Sequence, residues 1–226
     1  MTIDSFASGA GMIDDVFSRE ELNDITNFVS QMPKHYIGPQ GNSFSGISKD
    51  HILYSWFNKR IFNRIKELTS VDIQLHFGSF LHEETPWALH SDYYQVSDAG
   101  DVNPYMAFLI PLSVNNDMDQ VGKTSTVVFN EEDIYVNDPS DECKSWSEEL
   151  WKDNRTKKEN NAVALKEGLL SHLPVEDLEC LTVKTIANWQ LGSLIYWGER
   201  YLHCSDNFVA NGATSKQALV IHTYVV

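Results

Sequence analysis

The chain has 226 residues, of which 42% are hydrophobic and 12% aromatic, and it carries a formal net charge of −15. That apolar content supplies a real core and excludes wholesale disorder. The 32 acidic side chains outnumber the 17 basic ones, and such a surface repels phosphate backbones and anionic headgroups, so neither nucleic acid nor a membrane surface is expected as a partner.

Residues 14 to 31 read as a helix. Phe17, Leu22, Ile25, Phe28 and Val29 recur at helical spacing, Ser18 serves as N-cap with Glu21 three residues on, and Pro33 stops the run. Residues 34 to 50 hold Gly38, Pro39, Gly41 and Gly46 and read as loop. A second helix is expected from about 52 to 68, with Leu53, Trp56, Ile61, Ile65 and Leu68 as its apolar set. The period then changes to two. Val71, Ile73, Leu75, Phe77 and Leu81 alternate with Asp72, Gln74, His76 and His82, which predicts a strand with one apolar and one polar face. Further strands are expected over 105–112, 125–129, 181–187, 193–197 and 217–225.

Between about 130 and 180 the chain makes a polar excursion containing Asp138-Pro139-Ser140-Asp141-Glu142 and a charged, partly helical piece from 145 to about 173. Its apolar content is too thin for a separate core, so it reads as an insertion in a single domain spanning 1–226. Two helices followed by many short strands predict an α+β, mainly β chain whose sheets form a sandwich or barrel. Cys143, Cys180 and Cys204 are odd in number and form no C-x-x-C. Neither a disulfide framework nor a structural zinc is expected, and a cytoplasmic location fits. The first residues show no secretory signal, and no run approaches the ~20 apolar residues of a membrane span.

His90-Ser91-Asp92 is the first feature with a mechanism. In an extended segment, residues two apart point the same way, so one imidazole and one carboxylate converge. A third ligand from elsewhere would complete a facial 2-His-1-carboxylate set, which suits Fe(II) because positions stay open for substrates and O2. With eight histidines in the chain, a bare H-x-D also arises by chance as a hydrogen-bonded loop histidine. In the second half, Gly192-Ser193-Leu194-Ile195-Tyr196-Trp197-Gly198 is a glycine-opened apolar strand that runs into Leu202-His203. Lys216 then opens the last apolar strand. It reads either as a strand-edge gatekeeper with its ammonium in water or as a cation placed in a pocket to pair a ligand carboxylate.

The order H-x-D, distal His, then a basic residue resembles the Fe(II)- and 2-oxoglutarate-dependent dioxygenase superfamily. Phe108-Leu109-Ile110-Pro111-Leu112-Ser113, followed by the glycine-opened Gly122-Lys123-Thr124-Ser125-Thr126-Val127-Val128-Phe129, is similar to that family's central strands. Phe17-Ser18-Arg19-Glu20-Glu21-Leu22 resembles the helix preceding the core in prolyl-hydroxylase-like and phytanoyl-hydroxylase-like members. The resemblance covers about residues 13 to 226, less the acidic insertion. It implies a double-stranded β-helix, a cupin-like jelly roll, with N-terminal supporting helices. It also implies Fe(II) held by His90, Asp92 and His203, and 2-oxoglutarate whose far carboxylate pairs with Lys216. The reaction implied is hydroxylation of a C–H bond in a small molecule or a peptide side chain, with release of succinate and CO2 and with ascorbate as an auxiliary reductant.

Some positions depart from the pattern. Arginine is the more usual basic residue in the family. A hydroxyl two residues after it often shares the carboxylate, but here that position is Ala218, so Tyr105, Thr126 and Thr223 stand open as substitutes. Asp92 and His203 lie unusually far apart, which an insertion acting as a lid or substrate loop would account for. Trp87, Tyr93 and Tyr94 flank the H-x-D and read equally as pocket lining or packing. Arg200 either meets substrate or orients the turn before His203. His76 and His82 read as ordinary polar-face residues. His222 shares strand parity with Lys216, so it points to the same pocket or serves as a hydrogen-bonded core histidine. Gly122-Lys123-Thr124 matches the end of a phosphate loop, but the first glycine that loop requires falls at Asp117, which excludes a nucleotide site. Two other readings stay open: a non-catalytic jelly roll that binds a ligand or partner, and a cupin-like metalloenzyme that does not use 2-oxoglutarate.

Overall fold

The period-two runs pair into two antiparallel sheets. The computed structural model describes residues 6, 8–31, 36–37, 43–47, 54–93, 103–132, 161–179 and 181–225. The strands are β1 (Ala10–Ile13), β2 (Tyr36–Ile37), β3 (Ser43–Ile47), β4 (Ile73–Glu83), β5 (Asn103–Val114), β6 (Ser125–Glu132), β7 (Val183–Asn188), β8 (Leu194–Gly198), β9 (Tyr201–Ser205) and β10 (Lys216–Val225). A seven-stranded sheet has the order β1-β8-β5-β10-β4-β3-β2, and a three-stranded sheet the order β7-β6-β9.

The large sheet is buried on both faces. On one face Phe108 and Ile110 of β5, with Leu219 and Ile221 of β10, pack against helical side chains including Leu22, Ile25, Phe57 and Ile65. On the other face Ala107, Leu109, Ala218 and Val220 meet Val128 and Ala187 of the small sheet. β10 therefore reads as a near-continuous apolar run, as a strand covered on both sides must. Each large side chain so buried contributes about 1.5–3 kcal/mol. The outer face of the small sheet, with Val127, Phe129, Leu202 and Cys204, is covered by Leu170, Leu173, Leu178 and Leu181.

The first helix, α1 (Arg19–Ser30), starts at the predicted N-cap. Glu21 N donates to Ser18 Oγ (3.2 Å) and Ser18 N donates to Glu21 Oε2 (2.8 Å), closing the capping box. The helix does not begin at 14, because Phe17 is instead tied to the β8 approach: its N–H donates to Gly192 O at 2.9 Å. The second helical run is α2 (Tyr54–Phe57), a π-helical turn (Asn58–Phe62) and α3 (Asn63–Leu68).

Four expectations need correction. The loop reading of 34–50 misses β2 and β3, which pair with each other and extend the sheet beyond β4. β1 and β9 are also strands that were not anticipated. β4 does not keep one apolar face. β10 pairs His222 with Phe77 and Thr223 with Leu75, skipping His76, and this bulge turns the strand over. Ile73 and Leu75 consequently face the helices, whereas Phe77, Ser79, Leu81 and Glu83 line a cavity. Within the 145–173 piece, the described part is helical only over Asn161–Ala164; residues 145–160 lie outside the described residues.

Candidate metal centre and adjoining cavity

β9 brings His203 beside the H-x-D. His90 and His203 form an antiparallel bridge, with N–H···O bonds of 3.1 and 2.9 Å, and Asp92 N donates to Glu199 O at 3.1 Å. Only His90 pairs with β9; Asp92 follows at a bend tied to Glu199 in the turn before that strand, and the two side chains still face one another, His90 Nε2 lying 3.9 Å from Asp92 Oδ1. A cavity of about 370 Å³ opens there between the sheets.

The imidazoles are fixed from behind. His90 Nδ1 lies 2.8 Å from Ala88 O, and His203 Nδ1 lies 3.0 Å from Tyr201 O. A carbonyl only accepts, so each Nδ1 carries the hydrogen, and in the neutral ring Nε2 is the atom left with a lone pair. Those lone pairs face Asp92. His203 Nε2 is 3.4 Å from Asp92 Oδ2 and His90 Nε2 is 3.9 Å from Asp92 Oδ1. All three ligand atoms lie within 4.8 Å of one another. Ligands ~2.1 Å from a shared ion and at about right angles to one another sit ~3 Å apart, so the 3.4 and 3.9 Å separations have to draw in by less than ~1 Å to grip an ion. Trp197 Nε1 donates to Asp92 Oδ2 at 2.9 Å and anchors the carboxylate.

The charge states match a cation's needs. Burial pushes His203 down to about 4, against the pull of Asp92. Burial alone would raise the Asp92 carboxyl, but His203, His222, His90 and the Trp197 indole outweigh it and hold it below the usual carboxylate range. At neutral pH a lone pair and a carboxylate oxygen therefore confront each other inside the protein with no hydrogen between them. A buried pair of acceptors is costly unless a cation lies between them, so the donor set fits a divalent ion.

Asp92, Glu199 and His222 form a second buried group whose atoms also lie within 4.8 Å of one another. This one is satisfied internally. His222 Nδ1 is 3.1 and 3.3 Å from the two Glu199 oxygens. Burial raises Glu199 to about 7, in part offset by His222. Burial alone would lower His222, but Glu199 and Asp92 prevail and raise it. His222 lines the cavity with Lys216 as strand parity predicts, and it is also the hydrogen-bonded histidine of the plainer reading.

Lys216 is no solvated gatekeeper, since it is only 3% exposed. Its Nζ donates to Ser205 Oγ at 2.8 Å, lies 3.0 Å from Glu83 Oε2, and sits 4.7 Å over the Trp189 ring and 5.2 Å over Phe208. Burial raises Glu83 above the usual range, and Lys216 and a Trp87 hydrogen bond oppose that shift.

Of the remaining sequence candidates, Thr126 and Trp87 line the cavity, Thr126 Oγ1 accepting from Trp189 Nε1 at 3.0 Å. Tyr105 and Thr223 are not among the lining residues. The Thr223 hydroxyl donates to Met106 O at 2.7 Å, and Tyr105 packs on the helix side. Arg200 stacks over Tyr93 at 4.3 Å, and neither lines the cavity; Tyr94 lies outside the described residues. His76 packs against Phe77 and Tyr224, and His82 Nδ1 is 3.0 Å from Gln217 Nε2. Sequence reasoning missed Glu83, Trp197, Glu199 and Ser205. Only Ser205 had a signal, standing two residues past His203 on the same strand.

No family model matches the sequence, and no curated protein matches it. Solved structures do match. The non-heme alpha-ketoglutarate-dependent epimerase SnoN from nogalamycin biosynthesis is 10% identical with a TM-score of 0.59, over 96% of this chain and 78% of that one. HygX from Streptomyces hygroscopicus, solved with nickel, 2-oxoglutarate and hygromycin B bound, is 12% identical with a TM-score of 0.55, over 98% and 85% of the two chains. A Pseudomonas putida prolyl-4-hydroxylase is 8% identical with a TM-score of 0.52, over 100% and 97%. The chain has the fold of the Fe(II)/2-oxoglutarate oxygenases, and the resemblance read from the sequence holds at that level.

Proposed function

We propose, from that shared fold, that the chain is an Fe(II)- and 2-oxoglutarate-dependent oxygenase acting on a C–H bond, with hydroxylation as the reaction. The observation that carries the proposal is the convergence of two imidazole lone pairs and one buried carboxylate on a single point of the cavity that also holds Lys216. In this reading the strands β8-β5-β10-β4 face β7-β6-β9, continued by His90, as the two walls of a double-stranded β-helix within one domain.

His90, Asp92 and His203 hold the metal on one face and leave its other positions to the cavity. Ala88 O and Tyr201 O keep both rings in the Nε2-ligating tautomer, and Trp197 keeps the Asp92 oxygen in place. Lys216, with Ser205 beside it, receives the far carboxylate of the co-substrate, and Thr126 lines the same cavity. The apolar walls, among them Leu109, Trp197 and Val220, exclude water from the reacting centre. When bound, Fe(II) and 2-oxoglutarate would activate O2, one oxygen atom passing to succinate as CO2 leaves and the other to the substrate. A cavity of about 370 Å³ belongs to the small-molecule class, so a small molecule is favoured over a peptide side chain.

The test is succinate release from 2-oxoglutarate with Fe(II), ascorbate and O2 across a panel of small molecules and peptides. Release stimulated by a panel member and abolished in His90→Ala is expected. Metal-loaded protein that releases no succinate with any of them overturns the proposal.

A further inference from the structure

Lys216 is already occupied by a carboxylate of its own chain. Lys216 and Glu83 stand opposite each other in the β10–β4 register, 3% and 5% exposed, with Nζ and Oε2 3.0 Å apart. An ammonium has three hydrogens to give. One goes to Ser205, Glu83 Oε2 lies against the ammonium as an ion pair outside hydrogen-bond geometry, and aromatic rings cover the rest of the group. Lys216 is also the one ammonium or guanidinium among the described residues that line the cavity.

Resting on the function proposed above, we infer that Glu83 is a specificity-determining residue of the co-substrate subsite. It is an internal counter-ion that the far carboxylate of a dicarboxylic 2-oxo acid must displace from Lys216. With the Lys216–Glu83 pair intact, a divalent ion and Asp92 leave one positive charge in the cavity, which a single carboxylate neutralises. A second carboxylate finds no free cation and meets Glu83, and like charges in a low-dielectric site repel strongly. Glu83 is the last residue of β4, beside the part-exposed Trp87 and His90, so its side chain has the open side of the cavity to turn into. The wild-type subsite therefore distinguishes 2-oxoglutarate from a monocarboxylic 2-oxo acid weakly.

The test is calorimetric binding of 2-oxoglutarate and of 2-oxobutanoate to the Mn(II)-loaded protein, which reads affinity without turnover. Wild type is expected to prefer 2-oxoglutarate by less than tenfold. Glu83→Gln frees Lys216, so 2-oxoglutarate binds at least tenfold tighter while 2-oxobutanoate stays within threefold. Unchanged or weaker 2-oxoglutarate binding in Glu83→Gln overturns the inference. Should that variant fail to fold around an unpaired buried ammonium, the charge-free double variant Glu83→Gln/Lys216→Met decides. Its preference between the two acids matches wild type within threefold if Glu83 masks Lys216, and falls more than tenfold if Lys216 is free in wild type. If neither acid binds any Mn(II)-loaded form, the oxygenase proposal itself fails. If both bind and the preference ignores Glu83, only this inference does.

Discussion

Trp197→Phe tests how Asp92, the carboxylate proposed to hold the metal, is fixed. The indole donates to Asp92 Oδ2 at 2.9 Å, and Asp92 is 4% exposed, so no bulk water stands ready to replace it. A hydrogen bond to a charged group contributes about 1.5–3 kcal/mol. Losing an outer partner of a metal ligand costs about 10–100-fold in metal affinity, which corresponds to about 1.4–2.7 kcal/mol. Two independent routes therefore give the same range. The assay is Mn(II) titration followed by the spin-resonance signal of the free ion, at a temperature where the variant is fully folded. Trp189→Phe is the control. Trp189 is equally buried and donates to Thr126 at 3.0 Å, so it loses a similar volume and a similar bond away from Asp92. The expected result is a 10–100-fold loss for Trp197→Phe and less than twofold for Trp189→Phe. Equal losses in both, or none in Trp197→Phe, refute the reasoning.

Gly192→Ala destabilises the fold by at least ~2 kcal/mol, read from urea midpoints. Gly192 sits at φ +85° and a Cβ there would meet Phe17 O at 2.3 Å, combining backbone strain with a clash. The Cys204 thiol is 1% exposed and burial pushes it up to about 12. At pH 8 only ~1 in 10,000 of these thiols is ionised, so peptide mapping after alkylation should find Cys204 modified only in denatured protein. Among the shifted groups, His203 and Glu199 give opposing slopes to stability between pH 4.5 and 6.5 without metal. His203, lowered to about 4, makes stability fall as pH drops from 6.5, because only the unfolded chain takes the proton. Glu199, raised to about 7, makes stability fall as pH rises from 4.5, because only the folded chain keeps its proton. Glu199→Gln removes the second slope, so its stability should fall about 2–3 kcal/mol more steeply than wild type between pH 6.5 and 4.5. Denaturation curves that run parallel for the two proteins contradict this.

Local rules carried much of the architecture into the sequence. Ser18 and Glu21 announce the start of α1 because a capping box is a contact within one turn. Short apolar runs place β5, β6, β8 and β10 within a few residues, and β7 is shifted only slightly. What failed is non-local. The turn-over of β4 at His76 depends on how β10 pairs with it, which no single strand encodes. β2 and β3 are strands because β4 offers an edge, not because their glycine-rich stretch favours one. At the site, the convergence of His90 and Asp92 was expected from strand parity, and His203 and Lys216 from the order of residues that the resemblance rests on; the structure places all four on one cavity. Glu83, Trp197 and Glu199 were not legible, since each is defined by a partner far off in the chain: Lys216, Asp92 and His222. Tyr105 and Thr223 misled because a hydroxyl's side of the sheet depends on register. The bulge between His222 and Tyr224 in the β10–β5 pairing falls beside both.

The central claim is that one divalent ion sits between His90, Asp92 and His203. A crystal of the protein grown with Mn(II) and 2-oxoglutarate, measured for anomalous scattering, tests it most directly. One strong peak is expected ~2 Å from Nε2 of both histidines and from an Asp92 oxygen. A peak instead among Asp92, Glu199 and His222, or no peak in the cavity at saturating Mn(II), contradicts it.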